Sequence, residues 1–285
     1  MNLYFMLAWR TPVAPNPVLV ETFGRLRRRG FDIALGIAEE LLLQLDGPGL
    51  THDLYILKSH TALWLSLAEI VHTHGGRLLN PFPACLAAQN KIVAVERMRT
   101  AGIPTPRSWV TGDPEQLRPI VADCPVILKP YAGGRGLGIR VVHSPHELAE
   151  APRPQEPVLI QEYIPHEDEL KIYVIGEDVF ALCTRPGSRD APRWPCPLRR
   201  DVREIALRCG RLFDLHLYGL DIVESAAGPL VVDLNYFPSY RDVPQAAVRI
   251  ADFIDAYARG PAAARVPVRL RRIARAAGAA PQQGG

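Results

Sequence analysis

The stretch DIVESAAGPLVVDLNYFP, residues 221 to 238, constrains the fold more than any other part of the chain. Apolar runs flank the turn residues Ser225-Ala226-Ala227-Gly228-Pro229, and Leu230 to Leu234 have strand character, so the segment predicts a β-hairpin. Asp233 and Asn235 are two apart, and on a strand both side chains leave by the same face. Asp221 sits where the neighbouring strand sets it alongside them. Two carboxylates and an amide oxygen form a hard, all-oxygen set suited to Mg²⁺, an ion that also binds nucleotide phosphates. Beside Val231, Val232 and Leu234 this trio has little structural use.

The basic residues point the same way. The chain has 285 residues and a net charge of +3, too small to argue for nucleic acid, yet only four of its 33 cations are lysines: Lys58, Lys91, Lys129 and Lys171. Where arginine serves as the general cation, the surviving lysines mark places that need a compact ammonium. Cys85, Cys124, Cys183, Cys196 and Cys209 are odd in number and lack metal-ligand spacing, which predicts free thiols in a reducing cytoplasm. The apolar start MNLYFMLAWR has no basic leader and reads as a first strand. No apolar run approaches the ~20 residues of a membrane span, so neither a membrane nor a nucleic acid is expected as a partner.

Residues 1–82 alternate strands (Asn2 to Ala8, Phe31 to Ala38, His52 to Lys58, Arg77 to Leu79) with helices (Pro17 to Arg29, Leu63 to His74), which argues for a parallel α/β lobe. A helical linker over 83 to 101 opens a second unit, 83–165. That unit continues with a strand (Arg107 to Val110), a helix (Pro114 to Val121), and strands at Pro125 to Lys129, Ile139 to His143 and Glu156 to Ile164. A third, 166–259, carries a strand from Leu170 to Leu182, a helix over Arg199 to Leu215, the hairpin, and a closing helix over Pro244 to Arg259. From 260 to 285 Ala, Arg, Pro and Gly dominate, as in a disordered tail.

Two more motifs carry chemistry. KPYAGGRGLG, residues 129 to 138, puts Lys129 at a strand end before Gly133, Gly134, Gly136 and Gly138, whose backbone N–H groups can converge on phosphate oxygens. It is neither a Walker loop nor a dinucleotide fingerprint, because a strand follows it. QEYIPHEDELKIYVIG, residues 161 to 176, ends one strand at Glu162-Tyr163-Ile164 and starts another at Lys171. Such an edge can offer backbone groups to a base and a carboxylate to ribose.

Taken in this order, KPYAGGRGLG, QEYI with ELKIYVIG, and GLDIVESAAGPLVVDLN with its Asp-x(11)-Asp-x-Asn spacing resemble the ATP-grasp superfamily, over roughly residues 80 to 258. NKIVAVERMRTAGIPTP is similar to the helix and turn that precede the family's central domain. The resemblance implies an ATP-grasp fold of the α/β class: an N-terminal parallel α/β lobe followed by two α+β subdomains that clasp ATP. It implies that Lys91 and Lys129 hold ATP phosphates, under a flap of Gly133, Gly134, Gly136 and Gly138. Glu162, Tyr163 and Ile164 match the adenine-contacting hinge, and Glu169 (or Asp168) the acid that takes the ribose. Asp221, Asp233 and Asn235 match the ligands of one or two Mg²⁺ ions, with Mn²⁺ an alternative, while Lys171 and Arg185 match basic catalytic positions facing phosphates or acceptor.

Two reactions compete. Carboxylate–amine ligases of the ribosomal-protein glutamate ligase type, which work through an acylphosphate, share the AGGRGLG loop and the metal spacing, though they carry Glu at Asp233 and Ser-Pro-Gly after the Asn. Inositol polyphosphate kinases of the same superfamily share features of NYFPSY, KIYVIGE and LYILKSHT but not of AGGRGLG. The ligase is the leading expectation. Either reaction implies ATP and an anionic small-molecule or peptide acceptor, with Lys58, Arg193 of the loop TRPGSRDAPRWP, and Ser239 on the acceptor side. The sequence leaves a homodimer open.

Overall fold

A computed structural model of the chain describes residues 1–9, 16–42, 50–131, 138–150, 157–186 and 191–260. The N-terminal lobe is built on short strands of near-continuous apolar character, the pattern of a parallel sheet covered on both faces. β1 (Asn2–Leu7) leads into α1 (Pro17–Arg28), whose first turn is capped by the Asn16 side chain accepting from the Val18 N–H, with proline at N1. β2 (Asp32–Ile37), β3 (Leu54–Leu57), α2 (Ala62–Thr73) and β4 (Leu78–Leu79) follow, and the strands pair in parallel in the order β2-β1-β3-β4. All four residues of β3 are buried.

The helical linker is two helices rather than one. α3 (Phe82–Gln89) stops at Asn90, which takes an extended backbone and caps α4 (Lys91–Thr100) by accepting from the Ile92 and Val93 N–H groups. Both helices pack against the C-terminal sheet and its long helix.

The central unit is a four-stranded antiparallel sheet. Its elements are β5 (Ser108–Thr111), α5 (Arg118–Asp123), β6 (Val126–Pro130), β7 (Arg140–Val142), α6 (Pro145–Ala149) and β8 (Val158–Glu162), with strand order β5-β8-β6-β7. One face closes a small separate core around Val126, Val142 and Ile160.

The C-terminal unit runs β9 (Glu169–Ile175), β10 (Asp178–Thr184), β11 (Arg193–Pro195), α7 (Arg200–Phe213), β12 (Leu217–Ser225), β13 (Gly228–Tyr236) and α8 (Ala246–Arg259). Its sheet is antiparallel in the order β11-β10-β9-β12-β13. The single strand expected from Leu170 to Leu182 is a hairpin instead, turning at Gly176 with φ +61°. The expectation of free thiols fails at one pair: antiparallel pairing of β10 with β11 brings Cys183 and Cys196 together, and they are bonded, with Cα atoms 5.8 Å apart. Cys85, Cys124 and Cys209 are free.

The N-terminal and C-terminal units share one continuous core. Polar contacts staple the joint. The buried Asn80 amide donates to the Leu217 carbonyl (2.8 Å) and accepts from the His216 (2.8 Å) and Leu217 (2.9 Å) N–H groups, acting as a strand partner for the start of β12. Arg77 donates to the last carbonyls of α8, at Tyr257 (2.6 Å) and Ala258 (2.8 Å). Arg29 meets Asp252 and Asp255. Among the described residues no helix is long and apolar enough to cross a membrane.

Candidate active site

Register decides which side chains meet. β12 and β13 set Asp221 directly opposite Asp233, and Gly219 opposite Asn235. β12 and β9 set Asp221 opposite Lys171 and Val223 opposite Glu169. Directly opposed residues share a face, so Glu169, Lys171, Asp221, Asp233 and Asn235 stand together on one face of the sheet. Ile172, Leu220, Ile222, Val231 and Leu234 fill the other and are buried. The alternation survives along β13 only because of a bulge: Asp221 pairs with Asp233 but Ile222 with Val231, leaving Val232 as the extra residue.

Ammonium groups neutralise the acids. Lys171 Nζ lies 2.8 Å from Asp221 and 2.9 Å from Glu169, and Lys91 Nζ pairs with Asp233. Lys91 is the first residue of α4, and its backbone N–H donates to the Tyr131 carbonyl (2.8 Å), which ties the helix to the strand end that precedes the glycine run. Asn235 donates to Asp233 at 2.9 Å, leaving its own amide oxygen as an acceptor. From the central sheet, Lys129 donates to the carbonyl of the bulged Val232 at 2.8 Å and to Gln161 at 2.7 Å. Three of the four lysines therefore converge on one cluster.

Burial works against every charge here, and the partners decide the outcome. Burial raises the Asp233 pKa, but Lys91 and Lys129 outweigh it and bring the carboxyl down to about 2. Burial pulls Lys171 down, yet Asp221 and Glu169 raise it above the usual lysine value. Glu169 is raised by burial and by Asp221, against the pull of Lys171. Lys129 is lowered by burial, which Asp233 offsets only in part.

The donor chemistry fits a hard divalent cation: two carboxylates, each paired with an ammonium, and an amide oxygen on adjacent strand positions. Among the described residues no third His, Cys, Asp or Glu joins the pair, so Asn235 is the third donor available.

Other expected positions fall at varying distances from this cluster. Glu162 ends β8 and its carboxylate is held by Arg107 (2.9 Å); the Tyr163 N–H donates to Pro125, and the Ile164 carbonyl accepts from His166 (2.6 Å). Gly138 has φ +74°, and a Cβ there would lie 2.9 Å from Pro130 Cγ, so both backbone and space demand glycine. Gly133, Gly134 and Gly136 lie outside the described residues. Arg185 is not brought into the cluster; it is 69% exposed and faces Asp168 at 3.3 Å. Arg193, opposite Thr184 on β11, is mostly buried on the same sheet face, 3.5 Å from Asp242. Its Nε is buried and has no hydrogen-bond partner among the described residues. The Ser239 carbonyl accepts from Asn16 at 3.0 Å. Lys58 is buried at the end of β3, with its ammonium 5.4 Å from the centre of the Phe237 ring just beyond β13. Sequence reasoning did not single out Gln161; the one signal for it is a polar residue closing the apolar run Val158-Leu159-Ile160.

Comparison with known proteins decides the family. The model of the RimK-like ATP-grasp domain matches residues 88–254, more than half of the chain. The chain belongs to the RimK-like ATP-grasp family. The matched region holds every residue of the charged cluster. A probable alpha-L-glutamate ligase from Haemophilus influenzae (strain PittEE) is 25% identical over 217 residues, covering 68% of this chain and 73% of that protein. The RimK domain ATP-grasp protein from Sphaerobacter thermophilus DSM 20745 superposes with a TM-score of 0.72 at 19% identity, covering 88% of this chain and 98% of that one. The ATP-grasp ligase PsnB, solved with a phosphomimetic variant of its minimal precursor, Mg and ADP, gives 0.65 at 21% identity, covering 89% and 97%. At these identities the two structures establish the ATP-grasp fold.

Proposed function

We propose that the chain is a Mg-ATP-dependent ligase that joins a carboxylate to an amine through an acylphosphate. The observation that carries this reading is the shared face of Asp221, Asp233 and Asn235, with Lys91, Lys129 and Lys171 closing over it. Asp221, Asp233 and Asn235 would hold one or two Mg²⁺ ions (or Mn²⁺), which when bound supply positive charge to the β- and γ-phosphates. Lys91 and Lys129 neutralise phosphate oxygens as charge develops, and Lys171 with Arg185 serves the phosphate or acceptor side; the rate gain is positioning plus electrostatics. The Glu162 to Ile164 edge takes the base and Glu169 the ribose, and the glycine run from Gly133 to Gly138 covers the phosphates.

In the first step a carboxylate oxygen of the acceptor attacks the γ-phosphorus and ADP leaves. In the second an amine attacks the acyl carbon and phosphate leaves with the C–O electrons, while the amine nitrogen loses a proton. Arg193, with its unsatisfied Nε, together with Lys58 and the Ser239 loop, offers cationic and polar groups to an anionic small-molecule or peptide acceptor. The similarity to a probable glutamate ligase makes L-glutamate the first amine to try. That relative and PsnB are both ligases, so of the two reactions weighed from sequence they support this one.

The decisive test incubates the protein with Mg-ATP, candidate carboxylates and hydroxylamine. A hydroxamate is expected from the wild-type chain, and Asp233→Ala should lower its formation by about a hundredfold or more. A stable phosphomonoester product, or undiminished turnover in Asp233→Ala, refutes the proposal.

A further inference from the structure

Three lysines meet at the cluster, but they are not held alike. Lys91 and Lys171 each touch a carboxylate. Lys129, only 6% exposed, is held by two neutral oxygens: Gln161 Oε1 at 2.7 Å from its own sheet and the Val232 carbonyl at 2.8 Å from the facing one. Among the described residues no carboxylate lies within salt-bridge distance of it. A buried ammonium has three N–H donors and loses heavily if they go unmatched. Two are matched here, and among the described residues the third has no acceptor.

Gln161 is itself fully buried and fixed. β8 sets it opposite Ser108 on β5, and its Nε2 donates to Ser108 Oγ at 3.2 Å, while that hydroxyl donates to the Pro106 carbonyl at 2.8 Å. The amide thus spends one of its two N–H donors on Ser108 and its oxygen on Lys129. An apolar residue would leave the ammonium with the Val232 carbonyl as its one acceptor among the described residues. A carboxylate would accept equally well but would form a buried ion pair and cancel the charge. Glutamine alone among residues of this size both aims Lys129 and leaves its charge for an anion.

We infer that Gln161 is a positioning residue for nucleotide phosphates: a neutral buried acceptor that points Lys129 at the bulge of β13 without neutralising it. The inference rests on the proposed nucleotide site and adds to it a residue that acts through Lys129. The test compares ADP with adenosine, each titrated calorimetrically in the presence of Mg²⁺, because only ADP carries the phosphates that Lys129 meets.

In Gln161→Glu the ADP affinity is expected to fall about tenfold, the scale of one charged hydrogen bond. Adenosine affinity should be unchanged and the melting temperature no lower than wild type. Gln161→Met should lose ADP affinity with adenosine again unchanged, but with a lower melting temperature. A merely structural glutamine predicts the opposite for Gln161→Glu, where a stable fold would bind ADP normally. ADP binding within twofold of wild type in Gln161→Glu, or adenosine binding that falls in step with ADP, overturns the inference. A wild-type protein that binds neither compound overturns the nucleotide reading and the inference with it.

Discussion

Asn80 makes the joint between the N-terminal and C-terminal units measurable. In Asn80→Ala, three hydrogen bonds at the start of β12 disappear at once: the His216 and Leu217 N–H groups lose their partner, while the Leu217 carbonyl keeps the Phe237 N–H at 2.6 Å. Each buried polar group left unmatched costs about 1–3 kcal/mol. His216 is only partly buried, so its N–H recovers some of this from water. The expected loss is about 2–3 kcal/mol, still a large share of the ~5–15 kcal/mol that holds a domain together. Urea unfolding read by far-ultraviolet circular dichroism should show the midpoint falling with the slope unchanged. Asn80→Asp separates hydrogen bonding from packing. It keeps the volume and both acceptor contacts, but turns a donor into a carboxylate oxygen facing the Leu217 carbonyl, and should still lose more than about 2 kcal/mol. If Asn80→Ala costs under about 1 kcal/mol, the amide is not serving as a strand partner and the reasoning fails.

Two further outcomes follow from particular environments. Gly138→Ala forces a side chain onto φ +74° and against Pro130, so it should cost about 1–2 kcal/mol in urea and raise the KM for ATP; an unchanged KM removes Gly138 from the phosphate flap. His216 packs against Phe253 and Tyr257, and burial pushes its imidazole below the ordinary histidine value, with Asp214 opposing. The unfolded chain therefore takes up the proton first as pH falls, and stability is lost from about pH 6.5 downward through the folded value. Melting temperatures between pH 7.5 and 5.5 should fall, and His216→Phe should flatten part of that slope, His52 being shifted in the same direction. An unaltered slope in His216→Phe counts against this.

Much of this was legible in local patterns. Turn chemistry and alternation disclosed the β12–β13 hairpin, and the scarcity of lysine pointed to cations that need a compact head. What escaped has a physical cause in each instance. Asn90 looks like helix interior until its backbone turns extended and its side chain caps the next helix. Leu170 to Leu182 is mostly apolar on either side of Gly176-Glu177-Asp178, and those three residues are the one local mark of the reversal. Cys183 and Cys196 belong to segments whose pairing is non-local. Gln161 and Asn80 act on partners 32 and 137 residues away in the chain, a relation no window of sequence contains.

The bulge at Val232 has a consequence for tolerated change. Val231 and Leu234, three apart, both point inward, while Asp233 and Asn235 point to the charged side. Were Val232 kept in line and the strand strictly pleated, Val231 and Leu234 would fall on opposite faces, and only one of the two sets could be satisfied. Either the acids would turn into oil, or Val231 would turn toward the phosphates. Any of several amino acids could stand at position 232, since its carbonyl is the group in use; deleting the position would leave both sets on their faces but remove the bulged carbonyl that Lys129 holds.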